Sequence, residues 1–309
     1  MEKKAKIIAT LGPAISSTSQ LKKIIELGVD AFRINFSHNT KNIKNVVNKI
    51  RILEKKTKKR IAIIADLQGI KLRIGKIKDK QIKIKKGQNF IFDLNKKEGN
   101  TSRVSLPNSF IFKKIKKNNI VLIDDGKFAF KVLKKNKKSI LTKCLSQNCF
   151  LSSNKSLHVS NISFPFNNLT SKDKKDIKIA KKIGCNWVAL SYIQNTKLIH
   201  QTRKLISKDM GIISKIENKL ALKNINEIIK ATDAVMIARG DLAIDIGHSE
   251  VPKIQLGLIK KCNNYSKSVI VATQMLESMI KNYTATRAEI NDIATAIFQG
   301  ADTVMLSAE

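Results

Sequence analysis

Two carboxylates and a lysine in the second half of the chain have the types and spacing of a metal-assisted phosphoryl-transfer site. Lys215 belongs to the short apolar segment 211–216, and Glu217 lies two residues after it, so in an extended strand both side chains point to the same side. Asp241 follows the next such segment, 234–238. Two carboxylates on neighbouring strands can hold Mg²⁺, and a lysine beside them can neutralise charge on a transferred group. The sequence therefore predicts a Mg²⁺ site for an anionic substrate.

Polar and charged residues also occur at the ends of several other short apolar segments. They are Arg33, Asn35 and Ser37 at the second segment, Asp66, Lys71 and Arg73 at the third, Arg239 and Gly240 at the sixth, Thr273 and Gln274 at the seventh, and Ser307 and Glu309 at the eighth. Any one of them, taken alone, can simply cap a helix or close a turn. Their joint occurrence favours a single shared site.

The elements that must position these residues are eight short, β-branched apolar segments. They span 6–11, 31–36, 61–67, 187–193, 211–216, 234–238, 269–273 and 303–306. Helix-like stretches with apolar residues three and four apart lie between most of them, at 19–27, 42–53, 171–183, 220–231 and 287–298. Alternating strands and helices without a sheet-edge signature predict a TIM (β/α)8 barrel, an α/β fold that carries its chemistry at the carboxyl ends of the strands.

One segment interrupts this alternation. Between about 75 and 165 the pattern changes to short strands with turn residues, at 81–85, 89–94, 120–124, 128–133 and 139–144. We predict an inserted small β-barrel domain here, acting as a lid over the barrel mouth. The predicted domains are then 1–74 for the first part of the barrel, 75–165 for the insert and 166–309 for the second part.

Composition restricts the class of protein. The formal charge of the 309-residue chain is +35, but its lysine-rich runs lack the interleaved aromatic residues that stack on bases, so the charge indicates a compositional bias rather than nucleic-acid binding. No apolar stretch is long enough to span a membrane, and the four cysteines form no CxxC pair. We expect a cytoplasmic protein with reduced cysteines, in which the single tryptophan, Trp187, packs in the interior.

Seven short motifs follow one another in order along the chain. They are Arg33-Ile-Asn35-Phe-Ser37-His38, Asp66-Leu-Gln-Gly69, Ile213-Ser-Lys215-Ile-Glu217-Asn218, Ala238-Arg-Gly-Asp241-Leu242, Ala272-Thr-Gln-Met-Leu-Glu-Ser-Met279, Thr286-Arg-Ala-Glu289 and Met305-Leu-Ser-Ala-Glu309. In order and spacing they resemble the pyruvate kinase family, and the resemblance covers nearly the whole chain. It implies transfer of a phosphoryl group from phosphoenolpyruvate to ADP, giving pyruvate and ATP, in the last step of glycolysis.

The resemblance also implies roles for individual residues. Glu217 and Asp241 would bind Mg²⁺, and Lys215 would stabilise the phosphoryl group in transfer. Arg33 would contact the phosphoryl group, Gly240, Asp241 and Thr273 would hold the substrate carboxylate, Thr273 and Ser307 would lie near the protonated enolate carbon, and Arg73, His38 and Lys172 would contact the nucleotide.

A monovalent-cation site is implied as well. The side chains of Asn35, Ser37 and Asp66 and the backbone of Leu67 match the family's ligands for that ion. Lys71, however, stands where K⁺-requiring members carry glutamate. Because a fixed ammonium group could replace the ion, we predict activity without added K⁺.

Two departures from the family pattern leave alternatives open. Ile70 replaces the family's proline. The chain ends at Glu309, from which we expect the eighth helix and the C-terminal effector domain to be absent and one apolar flank of the barrel to be uncovered. A homo-oligomer could cover that flank; the alternative is an incomplete product that folds poorly. One alternative function is a Mg²⁺-dependent TIM-barrel lyase or aldolase acting on a pyruvate enolate, which would need Glu217 and Asp241 but neither the nucleotide residues nor a lid. The other is an inactive basic remnant.

Overall fold

The computed structural model describes residues 5–12, 15–37, 42–159, 162 and 167–307. The chain divides into two compact units, one formed by residues 1–70 and 166–309 and the other by residues 71–165. His38, which the sequence places at a nucleotide site, lies outside the described residues, as does Glu309.

The first unit begins with three strands separated by two helices. These elements are β1 (Lys6–Thr10), α1 (Thr18–Glu26), β2 (Ala31–Asn35), α2 (Ile43–Thr57) and β3 (Ala62–Asp66). Helix α1 starts at a capping box in which the side chains of Ser17 and Gln20 each accept a hydrogen bond from the other residue's backbone N–H. Its buried face packs Leu21 and Ile25 into the hydrophobic core.

In the part of the second unit that the structure describes, strands predominate and there is one short helix. Its elements are β4 (Ile82–Ile84), β5 (Asn89–Asp93), β6 (Arg103–Ser105), α3 (Ser109–Lys114), β7 (Ile120–Ile123), β8 (Phe128–Lys135), β9 (Ser139–Cys144), β10 (Cys149–Leu151) and β11 (Leu157–Val159). Six strands form a sheet in the order β11-β7-β8-β9-β5-β6, while β4 pairs with β10. Phe90, Phe92 and Phe130 pack together at its core, with ring centroids 5.3 to 5.6 Å apart.

The remainder of the first unit continues the strand and helix alternation. Its elements are α4 (Ser171–Lys182), β12 (Trp187–Leu190), α5 (Lys197–Arg203), β13 (Gly211–Ile216), α6 (Lys219–Lys223), α7 (Ile225–Ala231), β14 (Ala234–Ala238), α8 (Arg239–Ile246), α9 (Val251–Asn264), β15 (Ser268–Ala272), α10 (Arg287–Phe298) and β16 (Thr303–Leu306). Among the described residues, no helix has both the length and the apolar character needed to cross a bilayer.

Eight parallel strands of the first unit close into a barrel in the order β1-β16-β15-β14-β13-β12-β3-β2, which confirms the predicted fold. Alternate strand residues face opposite sides of the barrel wall. Residues such as Phe32, Ile63 and Val235 pack outward under the helices, whereas Ile64 and Met236 fill the interior. All eight carboxyl ends therefore open at one end of the barrel.

One local prediction was wrong. The stretch predicted as one helix over 220–231 forms two helices, α6 and α7, that meet at Asn224. The region from Met275 to Met279 is a loop leading into a 3₁₀ turn at Glu277–Ile280, in which Met275 is buried and Met279 is 39% exposed. Leu276 has φ of +53°, a left-handed conformation that ends any α-helix there.

Candidate active site

Four charged side chains from three strands meet inside the carboxyl end of the barrel. Arg33 of β2 donates through Nε to Asp66 Oδ2 of β3 at 2.7 Å. The Nζ of Lys215, on β13, lies 3.2 Å from Asp66 Oδ1 and 3.0 Å from Glu217 Oε1. The side chains of Asp66 and Glu217 are only 2% and 1% exposed. Two cations and two carboxylates thus alternate in one cluster, in which the carboxylates are buried and the cations are 12% to 13% exposed.

The cluster keeps its lysine and its aspartate charged. Burial lowers the pKa of Lys215, but the carboxylates of Asp66 and Glu217 outweigh it and raise that pKa above the ordinary lysine value. Burial raises the pKa of Asp66, and the charges of Lys215 and Arg33 reverse this and hold it below the usual range. Lys215 is therefore a permanent ammonium, suited to stabilising an anion rather than to transferring a proton.

Two residues after β12 complete the cluster, and the sequence reasoning missed both. Lys215 Nζ donates to Ser191 Oγ at 2.9 Å, and that hydroxyl donates to the carbonyl of Leu67 at 2.7 Å. Tyr192 donates its backbone N–H to Glu217 and its hydroxyl to Asp241 Oδ1 at 3.0 Å. The sequence contained the signal that could have identified them: both residues lie at the carboxyl end of the fourth predicted barrel strand, and site residues in such barrels lie at these ends. We had proposed none at that strand.

Glu217 and Asp241 have the chemistry of a divalent-cation site. Burial and the nearby negative charge of Asp241 raise the pKa of Glu217, and only Lys215 and the Tyr192 N–H oppose the rise. A hard cation between the two carboxylates would remove that repulsion and accept their oxygen ligands. Within the described ranges, no group of three or more His, Cys, Asp or Glu residues could hold a metal ion. The two carboxylates by themselves fit Mg²⁺, which usually takes one or two carboxylates and completes its coordination with water and substrate oxygens.

The ends of β14 and β15 are tied together beside this pair. The backbone N–H of Gly240, in the first turn of α8, donates to Thr273 Oγ1 at 2.9 Å. Thr273 and Gln274 have φ of +71° and +56°, which is strained for residues with a side chain. Buried Arg239 donates to the carbonyl of Thr273 at 2.6 Å and to Asp292 Oδ1 of α10 at 2.7 Å. These bonds hold the Thr273 hydroxyl against the Gly240 backbone.

The predicted ligands of the monovalent cation lie at adjoining strand ends. Asn35 Oδ1 accepts the backbone N–H of Ser37 at 3.0 Å, and β2 and β3 pair Asn35 with Asp66. The Leu67 carbonyl already accepts the Ser191 hydroxyl. The structure therefore gathers these residues at one edge of the barrel mouth.

The remaining predicted residues fall into two groups. Lys172, at the start of α4, donates to the carbonyl of Phe36 at 2.6 Å and to Asp176, which places it beside the end of β2. Ser307 directly follows β16. Two others belong to the second unit, where Lys71 Nζ lies 3.1 Å from Asp125 Oδ1 and Arg73 donates to the Asn154 carbonyl at 2.9 Å.

Fold and site together define a (β/α)8-barrel protein with a charged, carboxylate-containing site at the carboxyl ends of its strands. Residues 2–309 match the family model described as pyruvate kinase, barrel domain, and the chain belongs to the pyruvate kinase family.

Curated relatives and a solved structure agree with this assignment. The chain is similar to a pyruvate kinase of Agrobacterium vitis (39% identical over 309 residues, covering 99% of this chain and 65% of the relative) and to one of Buchnera aphidicola subsp. Acyrthosiphon pisum (41% over 317 residues, 99% and 66%). The crystal structure of a pyruvate kinase from Cryptosporidium parvum superposes with a TM-score of 0.92 at 32% identity, covering 99% of this chain and 65% of that one. The chain thus spans about two thirds of the length of these relatives.

Proposed function

We propose that this chain transfers the phosphoryl group of phosphoenolpyruvate to ADP. The observation that carries the proposal is the Lys215 ammonium, whose side chain is 12% exposed and is held by Asp66, Ser191 and Glu217 at the carboxyl end of the barrel. A positive charge that the protein holds in place stabilises a phosphoryl group in transfer without reorganisation. In this step the bond from phosphorus to the C2 oxygen of phosphoenolpyruvate breaks, and a bond forms to a β-phosphate oxygen of ADP.

The charge pattern supports separate places for the two ends of the substrate. Glu217 and Asp241 would hold Mg²⁺, which when bound supplies a Lewis acid for the phosphoryl and enolate oxygens. Arg33 faces the same site and would contact the phosphoryl group. The substrate carboxylate would bind at the other end, at the first turn of α8, because helix N-termini favour anions. Its contacts there would be Gly240, Asp241 and the Thr273 hydroxyl.

The second half of the reaction adds a proton to C3 of the enolate left behind. Thr273 and Ser307 are the hydroxyl residues that the family resemblance assigns to this position, and they follow the neighbouring strands β15 and β16. We propose that they hold the proton or the water that delivers it. Arg73, His38 and Lys172 are proposed as nucleotide contacts on the same resemblance.

Ion dependence, cellular location and oligomeric state are proposed from the sequence and the family. Pyruvate kinases in general depend on Mg²⁺ and K⁺, and we propose that this chain keeps the first requirement and lacks the second because of Lys71. Location in the cytoplasm and homo-oligomer formation stay predictions from the sequence.

The test is a lactate-dehydrogenase-coupled assay with phosphoenolpyruvate, ADP and Mg²⁺. Lys215→Met should lower kcat by at least about 100-fold, because it removes a preorganised charge from the transferred group. Lys223→Met is the matched control, since Lys223 is an exposed residue of α6 and should leave turnover unchanged. Absence of turnover in folded wild-type protein would contradict the proposal, and release of pyruvate from an aldol substrate would then favour the lyase.

A further inference from the structure

The amino ends of the barrel strands enclose a cavity of about 430 Å³, at the opposite end of the barrel from the candidate active site. TIM barrels normally fill their interior with layers of bulky branched side chains. Here the layer nearest the amino ends is built mainly of small residues, namely Ala31, Ala62, Gly211, Ala234, Ser268 and Thr303. The cavity exists because these side chains are too short to meet across the barrel.

Trp187 forms one wall of this cavity. It pairs with Gly211 across β12 and β13, and a Cβ atom added to Gly211 would lie 2.3 Å from two ring carbons of Trp187. Glycine is therefore required for the indole to lie across the barrel interior. Ile8, Ile64 and Ile270 complete an apolar surface beneath the opening. An indole face beside aliphatic walls suits a flat ring.

The charges at the rim favour a negative ligand. The carboxylate of Asp30 already accepts the Ile7 N–H at 2.7 Å, and that of Glu54 accepts the Ile61 N–H at 3.0 Å and pairs with Arg51. Lys6, which also lines the cavity, has its Nζ 3.9 Å from Asp30 Oδ1, so each of the two acids has a cationic partner within the protein. Arg60 also lines the cavity, and it makes no ion pair or hydrogen bond with any part of the chain that the structure describes. One cation at the rim is left for an anion.

We propose that this cavity binds a small aromatic carboxylate, with its ring against Trp187 and its carboxylate at Arg60. The volume lies in the range of about 300 to 1,000 Å³ typical of small-molecule sites. Because the cavity uses no residue of the candidate active site, the proposal stands or falls independently of the catalytic function.

The probe is 4-ethylbenzoate, with its neutral analogue 4-ethylbenzamide. Trp187 is the only tryptophan of the chain, so its emission, excited at 295 nm, reports binding at this place alone. We expect saturable change in Trp187 emission and a dissociation constant of about 1 mM or tighter by calorimetry. Arg60→Gln should weaken binding of the acid about three- to fivefold and leave the amide unchanged. Lys56→Gln, an exposed residue outside the cavity, is the matched control.

Filling the cavity provides the second measurement. Ala234→Leu should abolish binding of both probes, and if that buried substitution prevents folding, Ser268→Leu fills the cavity from its exposed edge. The proposal is overturned if wild-type protein binds neither probe, or if the cavity-filling variants bind the probes as wild type does. It is likewise overturned if the substitution Arg60→Gln does not change the affinity of the acid relative to that of the amide. It is also overturned if Trp187 emission depends on protein concentration instead, because a second copy of the chain would then cover the cavity.

Discussion

Removal of one hydroxyl group, by Tyr192→Phe, should loosen the divalent-cation site. The Tyr192 hydroxyl donates to Asp241 Oδ1 at 3.0 Å, and its backbone N–H fixes Glu217. The substitution removes only the first of these bonds. A hydrogen bond to a charged group contributes about 1.5 to 3 kcal/mol, and water can replace part of it because both partners are partly exposed. The net loss of binding free energy is therefore about 1 kcal/mol, which corresponds to about a fivefold loss of metal affinity.

The assay is direct binding of Mn²⁺, followed by the electron paramagnetic resonance signal of the free ion, without substrates. Tyr192→Phe should raise the dissociation constant about fivefold, which is less than the roughly tenfold or more typical of buried residues that orient metal ligands, because water can replace part of this bond. Tyr283→Phe is the control, because Tyr283 is 96% exposed and should not affect binding. Thermal unfolding of both variants checks that neither fold is disturbed.

Two results would refute this reasoning. If the Mn²⁺ affinity of Tyr192→Phe stays within about twofold of wild type, the hydroxyl does not orient Asp241 toward a metal. If Asp241→Asn also leaves the affinity unchanged, Asp241 is not a ligand at all. A higher requirement for Mg²⁺ in the coupled assay, without any change in direct binding, would place the effect of Tyr192 in catalysis instead.

Three further predictions concern other parts of the structure. In Arg239→Lys, the lysine cannot bond both the Thr273 carbonyl and Asp292. We expect the free energy of unfolding, measured with urea, to fall by about 2 to 3 kcal/mol. An unchanged urea midpoint would contradict the geometry. Hydrogen bonds from Ser278 lower the pKa of Glu289 to about 2. The ionised Glu289 carboxylate should therefore contribute its full stabilisation of the fold above the ordinary glutamate pKa of 4.5, and this contribution should be lost as the pH falls toward 2. A Glu289 carboxyl resonance that titrates near 4.5 would be inconsistent with these bonds. Lys71→Glu should make turnover dependent on added K⁺, whereas wild type that already requires K⁺ would show the prediction to be wrong.

The sequence by itself determined the order of strands and helices and much of the site. Short apolar, β-branched segments predict the barrel strands, and the period of two in an extended strand places Lys215 and Glu217 on one side of the chain. Three of the second unit's four three-residue strands, β6, β10 and β11, were not predicted, because so few residues show little alternation; the fourth, β4, lies within the predicted strand 81–85, where Ile82 and Ile84 alternate with polar residues. Local patterns are thus readable where a segment is long enough to express its period.

Only the tertiary structure decided which strand ends meet. Asp66 lies between Arg33 and Lys215 because barrel closure sets β2, β3, β12 and β13 side by side, and nothing in the local sequence of β3 specifies that contact. The same closure brings Ser191 and Tyr192 to the lysine and the carboxylates. It also places the Trp187 side chain over Gly211, where it lines the cavity at the amino ends of the strands. The register between parallel strands is fixed by packing over the whole barrel, and that packing is a property of the closed fold rather than of any one segment.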